Sequence, residues 1–262
     1  MNYKKLSFAS ILTVLMIIVG CRGEIGPVGP SLSGSITGTV MLFNSDGSMP
    51  VDRSGVTVSI QGSSLSTTTD SLGLWTINNV MTGTYTITET KPGYGISEQQ
   101  GFVFVGGSEN DETPNRTYIS LAQPPNFSVV LDSVKNVTDS AISIWFTMSG
   151  SFDTAVDQGE NDFLVLIGKD SNVNGLMPNS YLYSAFTYLT PYPGVDGYNT
   201  ISASDLKYAG FKSGESVYVV IYPLDHNASP GPSYSSYYDI ATQKMVYTSL
   251  GIPSKVIRSE IP

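Results

Sequence analysis

The chain has 262 residues, 40% of them apolar and 13% charged, with a net charge of −9, 26 glycines, 15 prolines and one cysteine. Its length and apolar content allow two cores and argue against intrinsic disorder. The acidic balance argues against a nucleic-acid partner, since no basic patch exists to displace phosphate counterions, and a lone cysteine rules out an intramolecular disulfide.

Lys4 and Lys5 precede an almost unbroken apolar run from Leu6 to Gly20. At roughly 15 residues it falls short of the ~20 a membrane-spanning helix needs. Ile18-Val19-Gly20-Cys21 follows, with an apolar residue at −3 and a small residue before the cysteine. It resembles the bacterial lipobox. The resemblance implies that residues 1–20 are a lipoprotein signal peptide, cut before Cys21 by signal peptidase II. The Cys21 sulfur would then carry diacylglycerol. Several acyl chains at about 0.8 kcal/mol per buried CH₂ make such an anchor effectively permanent. The membrane is thus an expected partner through Cys21, and the cell envelope the expected location. Arg22, rather than Asp, after the cysteine favours the outer membrane. In residues 21–32 the glycines Gly23, Gly26 and Gly29 keep a period of three that fails at Leu32. About three triplets cannot hold a triple helix, so this segment reads as a Gly/Pro-rich tether.

Residues 33–122 read as a first β-domain. Ile36, Val40 and Leu42 alternate on an opening strand, and Val56, Val58 and Ile60 on the next. The run from Asp70 to Tyr94 then reads turn, strand, turn, strand. Asp70 can bond the backbone ahead of it, and Gly73 is free to take positive φ. Trp75 and Ile77 share one face, Tyr85 and Ile87 another, and Gly83 sits at the reversal. Asp70, Gly73, Trp75, Ile77, Val80, Gly83, Tyr85, Ile87, Gly93 and Tyr94 match, in order and spacing, D-x-x-G-x-aromatic-x-apolar, V-x-x-G-x-Y-x-apolar and G-Y. This stretch resembles the carboxypeptidase-regulatory-like domain, which implies a transthyretin-like (prealbumin-like) β-sandwich. Phe102 to Val105 and Tyr118 to Leu121 supply closing strands. The loop Gly106 to Glu112 is acidic but lacks calcium-ligand spacing.

Ala122-Gln-Pro-Pro125 marks a boundary, because paired prolines stiffen a linker and cannot join a central strand. Residues 126–262 again read as all-β. Phe127, Val129 and Leu131 alternate; Ile142, Ile144 and Phe146 alternate with Trp145 on the opposite face. Phe163 to Ile167 and Val217 to Tyr222 are dense apolar runs suited to central strands. A short helix fits within Thr200 to Gly210. Gly214-Glu-Ser-Val-Tyr-Val-Val resembles strand F of fibronectin type III domains, which implies a second, fibronectin type III/Ig-like β-sandwich. The fold class expected is therefore all-β, with two β-sandwich domains in tandem behind a signal peptide and short tether.

Counting removes most catalytic chemistry. His226 is the one histidine, too few for a metallocarboxypeptidase zinc site. There is no G-x-S-x-G, P-loop or dinucleotide fingerprint. Asp153, Asp157, Glu160 and Asp162 form an acidic cluster that a glycosidase could use but a solvated loop also explains. Asp170-Ser-Asn172-Val-Asn174-Gly175 matches half of a calcium loop, but Tyr181 stands where a bidentate Glu is required, so a turn-rich hairpin loop is favoured. No cofactor, metal or catalytic residue is expected. Of 16 tyrosines most follow residue 180. Tyr183 and Tyr188 read as strand residues; Tyr192, Tyr198, Tyr234, Tyr237 and Tyr238 fall in Pro/Gly/Ser-rich segments that read as loops. Tyr192 and Tyr198 are the candidate ligand-binding residues, since aromatic loops at a sandwich's end are a common binding device. Three functions stay open: a non-catalytic envelope lipoprotein that binds or displays a protein or surface polymer, a carbohydrate-binding lipoprotein serving glycan uptake, and a hydrolase using the acidic cluster.

Overall fold

The computed structural model describes residues 32–106, 116–138, 140–149, 161–189, 196–226 and 235–262. Cys21, its flanking signal segment and tether, and Tyr192 lie outside them. So do Tyr234 and the acidic residues Asp153, Asp157 and Glu160. Among the described residues the architecture is all-β, with one short α-helix and a single 3-10 turn at Pro178–Ser180.

The first sandwich is built around the Asp70 turn. The Asp70 carboxylate accepts the backbone N–H groups of Leu72 and Leu74, both at 2.9 Å. Gly73 takes φ of 78°, and a Cβ there would stand 2.2 Å from the Val40 carbonyl oxygen. That turn feeds β4 (Leu74–Met81), which pairs antiparallel with β1 (Ser33–Phe43). On the other side of β1 lies β7 (Arg116–Ala122), running parallel to it. The facing sheet has the order β3-β2-β5-β6, from β2 (Thr57–Ile60), β3 (Ser66–Thr68), β5 (Gly83–Thr90) and β6 (Ser97–Phe104). Ile36, Val40, Leu42, Val56, Val58, Ile60, Trp75, Ile77 and Ile87 fill the space between, as the period-2 alternation of each strand requires.

The second sandwich follows the same logic. Strands β8 (Ser128–Thr138), β9 (Ala141–Ser149) and β12 (Asp196–Ser202) make a sheet of order β12-β9-β8. Facing it is the sheet β11-β10-β13-β16, from β10 (Asn161–Gly168), β11 (Tyr183–Leu189), β13 (Ser216–His226) and β16 (Ile257–Glu260). Phe127, Leu131, Ile142, Ile144, Phe146, Phe163, Val165 and Ile221 fill its core. The helix α1 (Ala203–Tyr208) follows β12 directly, capped by the Ser202 hydroxyl, which accepts the N–H of Asp205.

Residues 163–167 are buried at every position, because the second sheet is covered on both faces. A hairpin of β14 (Ser236–Asp239) and β15 (Lys244–Tyr247) supplies part of the second cover, with Leu164, Leu166, Val173, Tyr181, Val220, Leu224 and Tyr247 forming a third apolar cluster. The Tyr181 hydroxyl donates to the Met245 carbonyl and Lys244 Nζ to the Tyr181 carbonyl. The segment around this hairpin also joins the sandwiches. Ala122 N–H donates to Ser235 Oγ at 2.7 Å, Ile96 N–H to Thr248 Oγ1 at 2.9 Å, and Ile240 N–H to Gln100 Oε1 at 3.1 Å. Gly95 permits this approach: a Cβ there would meet Ser235 Cβ at 2.6 Å.

Two expectations need correction. Tyr198 lies on β12, and Tyr237 and Tyr238 on β14, rather than in loops. Neighbouring glycine, proline and serine suggest loops locally, but β12 finds a full antiparallel partner in β9, from Asp196 opposite Thr147 to Ser202 opposite Ala141. Pairing with a ready sheet edge overrides local propensity.

Candidate functional site

Alternation on β9 separates two sets of side chains. Ile142, Ile144, Phe146 and Met148 face the core and are buried. Ser143, Trp145 and Thr147 face outward, on the sheet's other surface. Register then sets their neighbours: Tyr198 and Asp196 of β12 stand opposite Trp145 and Thr147, and Ser133 of β8 stands opposite Trp145 on the other side.

The result is an aromatic pair on an open sheet face. The rings of Trp145 and Tyr198 stack with centroids 5.3 Å apart and planes at 27°. Trp145 is 42% exposed and Tyr198 64%. Beside them is an open depression of about 520 Å³, lined by Asp132, Ser133, Lys135, Trp145, Thr147 and Asp196. That volume lies within the ~300–1,000 Å³ typical of small-ligand sites. Thr147 Oγ1 lies 2.8 Å from Asp132 Oδ2 and 3.2 Å from Asp196 Oδ1. Deeper along the sheet, the hydroxyls of Ser143 and Thr200 meet at 3.1 Å. Flat apolar faces flanked by carboxylates, hydroxyls and one ammonium can stack a ring and hydrogen-bond its substituents.

Tyr198 therefore stands in this surface, whereas Tyr192 and Cys21 lie outside the described residues. Trp145 was legible as an outward residue, but its partnership with Tyr198 was not. Lys135, Thr147 and Asp196 carry no motif, and nothing in the sequence sets Asp132 and Ser133 beside them. They meet only through the register of three strands.

Among the described residues the other motifs build no comparable site. In the half-matched calcium loop, Asp170 Oδ1 accepts the N–H of Asn172 and Asn174 Oδ1 that of Leu176, both at 2.8 Å. These are turn-forming contacts, with the side chains bonding the local backbone. Among the described residues no group of three or more His, Cys, Asp or Glu is placed to hold a metal ion, and no helix is long and apolar enough to cross a membrane. His226 ends β13.

No family model matches the chain, and no curated protein matches it. Among solved structures it is similar to a "putative carbohydrate binding protein" from Bacteroides uniformis, at 15% identity over 87% of this chain and 99% of that one, with a TM-score of 0.32. It is similar to a DUF3823 family protein from Parabacteroides merdae, at 13% identity over 88% of this chain and 100% of that one, with a TM-score of 0.32. A DUF3823 family protein from Bacteroides uniformis gives 14% identity, 89% and 100% coverage, and a TM-score of 0.33. At these scores the likenesses carry no argument about ligand or mechanism.

Proposed function

We propose that this chain is a non-catalytic, lipid-anchored protein of the bacterial cell envelope that binds glycan on the outer face of the β12-β9-β8 sheet. In this reading residues 33–122 form a carboxypeptidase-regulatory-like spacer domain and residues 126–262 the binding domain. The observation that carries it is the exposed, stacked Trp145–Tyr198 pair beside an open, polar depression. Large aromatic rings left in water contribute little to folding, while a sugar ring stacked on them removes apolar surface from water on both sides.

The test is binding with stability as its control. Trp145→Ala and Tyr198→Ala should each leave folding stability within about 1 kcal/mol, because both side chains lie on the outer face of the sheet and neither belongs to the core. Trp145→Ala should abolish retention of the protein on the glycans that the unaltered chain selects from an array, and Tyr198→Ala should weaken it, because Tyr198 holds the indole from its other side. A loss of melting temperature comparable to that of a core aromatic, or unaltered glycan retention, would refute this surface.

The anchor has its own test. Cys21→Ser should eliminate metabolic palmitate incorporation, since a hydroxyl cannot replace the thiol as diacylglycerol acceptor. Label retained by Cys21→Ser protein would overturn the lipoprotein reading. If the label is lost, fractionation of the labelled wild-type protein then tests for outer-membrane placement.

A further inference from the structure

We infer that the depression beside Trp145 takes one ring of an uncharged polysaccharide chain and selects it against acidic glycans; this rests on the glycan-binding reading above.

The number of rings follows from how the aromatics are arranged. Tyr198 stacks against one side of the Trp145 indole. Trp145 lines the depression and Tyr198 does not. The indole therefore offers the depression only the part that Tyr198 leaves open, enough for a single stacked ring. The depression is open rather than enclosed, so a ring lying there can belong to a longer chain.

The selectivity follows from hydrogen-bond bookkeeping. Thr147 has one hydroxyl proton and two carboxylates within reach, Asp132 at 2.8 Å and Asp196 at 3.2 Å. It can satisfy one of them at a time. The carboxylates thus keep several acceptor positions uncommitted at the rim. Sugar hydroxyls are donors suited to such acceptors, and hydrogen bonds to an ionised acceptor are the stronger kind. Lys135 lines the same depression, and no ion pair within 4 Å ties it to either carboxylate. It supplies a donor for a hydroxyl or ring oxygen and offsets one of the two negative charges. A uronate or sulfate on the sugar would bring a further negative charge against Asp132 and Asp196, with no cation besides Lys135 among the described residues that line the depression to receive it.

The experiment measures the full chain in detergent by biolayer interferometry against immobilised polysaccharides of three charge classes. Neutral probes are a mixed-linkage β-glucan, a galactomannan and dextran; acidic probes are polygalacturonate and chondroitin sulfate; the cationic probe is glycol chitosan. At least one neutral polysaccharide should bind, with every acidic one weaker by about tenfold or more. Asp132→Asn combined with Asp196→Asn preserves size and should weaken neutral binding about tenfold while narrowing the gap to the acidic probes. Trp145→Ala should abolish all of it. Trp145-dependent binding that is tighter for an acidic or cationic probe than for every neutral one would overturn the selectivity. So would neutral binding that the double Asn variant leaves intact. In both cases the glycan-binding reading itself stands. If nothing in any class binds, or binding ignores Trp145→Ala, that reading fails as well.

Discussion

Trp75→Ala should lower the stability of the first sandwich by about 3–5 kcal/mol, the range for a buried aromatic truncated in a close-packed core. Trp75 is 4% exposed and stands opposite Gly38 on β1. The indole lies over that glycine: a Cβ at Gly38 would be 2.4 Å from both Trp75 Cζ2 and Thr117 Oγ1. Trp75 thus reaches from β4 across β1 to β7, and its removal would open a void beneath three strands. Indole Nε1 has no protein hydrogen-bond partner, so packing rather than a polar contact is what the truncation loses. Trp75→Phe, which also removes that unpaired N–H, should therefore cost much less than the alanine change. Gly38→Ala should destabilise in its turn, because the indole must move to admit a methyl group. Urea denaturation of the full chain, followed by circular dichroism, reads all three. Since the chain holds 2 tryptophans and Trp145 is exposed, loss of the blue-shifted component of emission should accompany Trp75→Ala. An unchanged midpoint in Trp75→Ala protein would place the indole outside the core.

That core is legible in the sequence because its determinants are local. The Asp70 turn works within five residues, through one carboxylate and one glycine, and the strands beside it declare their faces by strict alternation. The dense run Phe163 to Ile167 likewise points to a central strand, and the structure adds that it is covered on both faces. The candidate site was readable only in pieces. Trp145 sits at an outward parity on β9, which sequence shows. That Tyr198 stacks on it, or that Asp132 and Asp196 share Thr147, depends on pairings among β8, β9 and β12. No short pattern encodes a register between distant strands. Tyr198 was further obscured by the prolines and glycines just before it, which suggest a loop. Glu89 shares its parity with Ile87 on β5 and so points inward, but no motif or spacing marks it out.

Replacing Glu89 should change the pH dependence of folding. Its side chain is 0% exposed, it stands opposite the buried Val58 on β2, and neither carboxylate oxygen has a hydrogen-bond partner from another residue. Burial pushes its carboxyl up from 4.5 to about 9, against the opposing pull of its own backbone N–H, and the nearby negative charge of Glu98 adds to the rise. Folded protein therefore keeps the Glu89 proton at neutral pH, whereas the unfolded chain releases it above about 4.5. Because the folded state binds more protons in that window, stability falls as pH rises through it. The full contribution is present below about 4.5 and is lost progressively up to about 9. The slope approaches about 1.4 kcal/mol per pH unit, so the loss by pH 7 is on the order of 3 kcal/mol. Glu89→Gln cannot ionise and should be more stable than the unaltered chain by roughly that amount at pH 7. Near pH 4 the two should converge. Glu89→Met, which also removes the unpaired polar atoms, should keep its advantage there as well. Urea midpoints at pH 4, 5.5, 7 and 8.5 for the three proteins make the comparison, and subtracting the variants cancels the trend from the other carboxylates. A difference between wild type and Glu89→Gln that stays constant with pH would mean that Glu89 is ionised in the folded protein, held by a partner that its burial in the sandwich does not reveal.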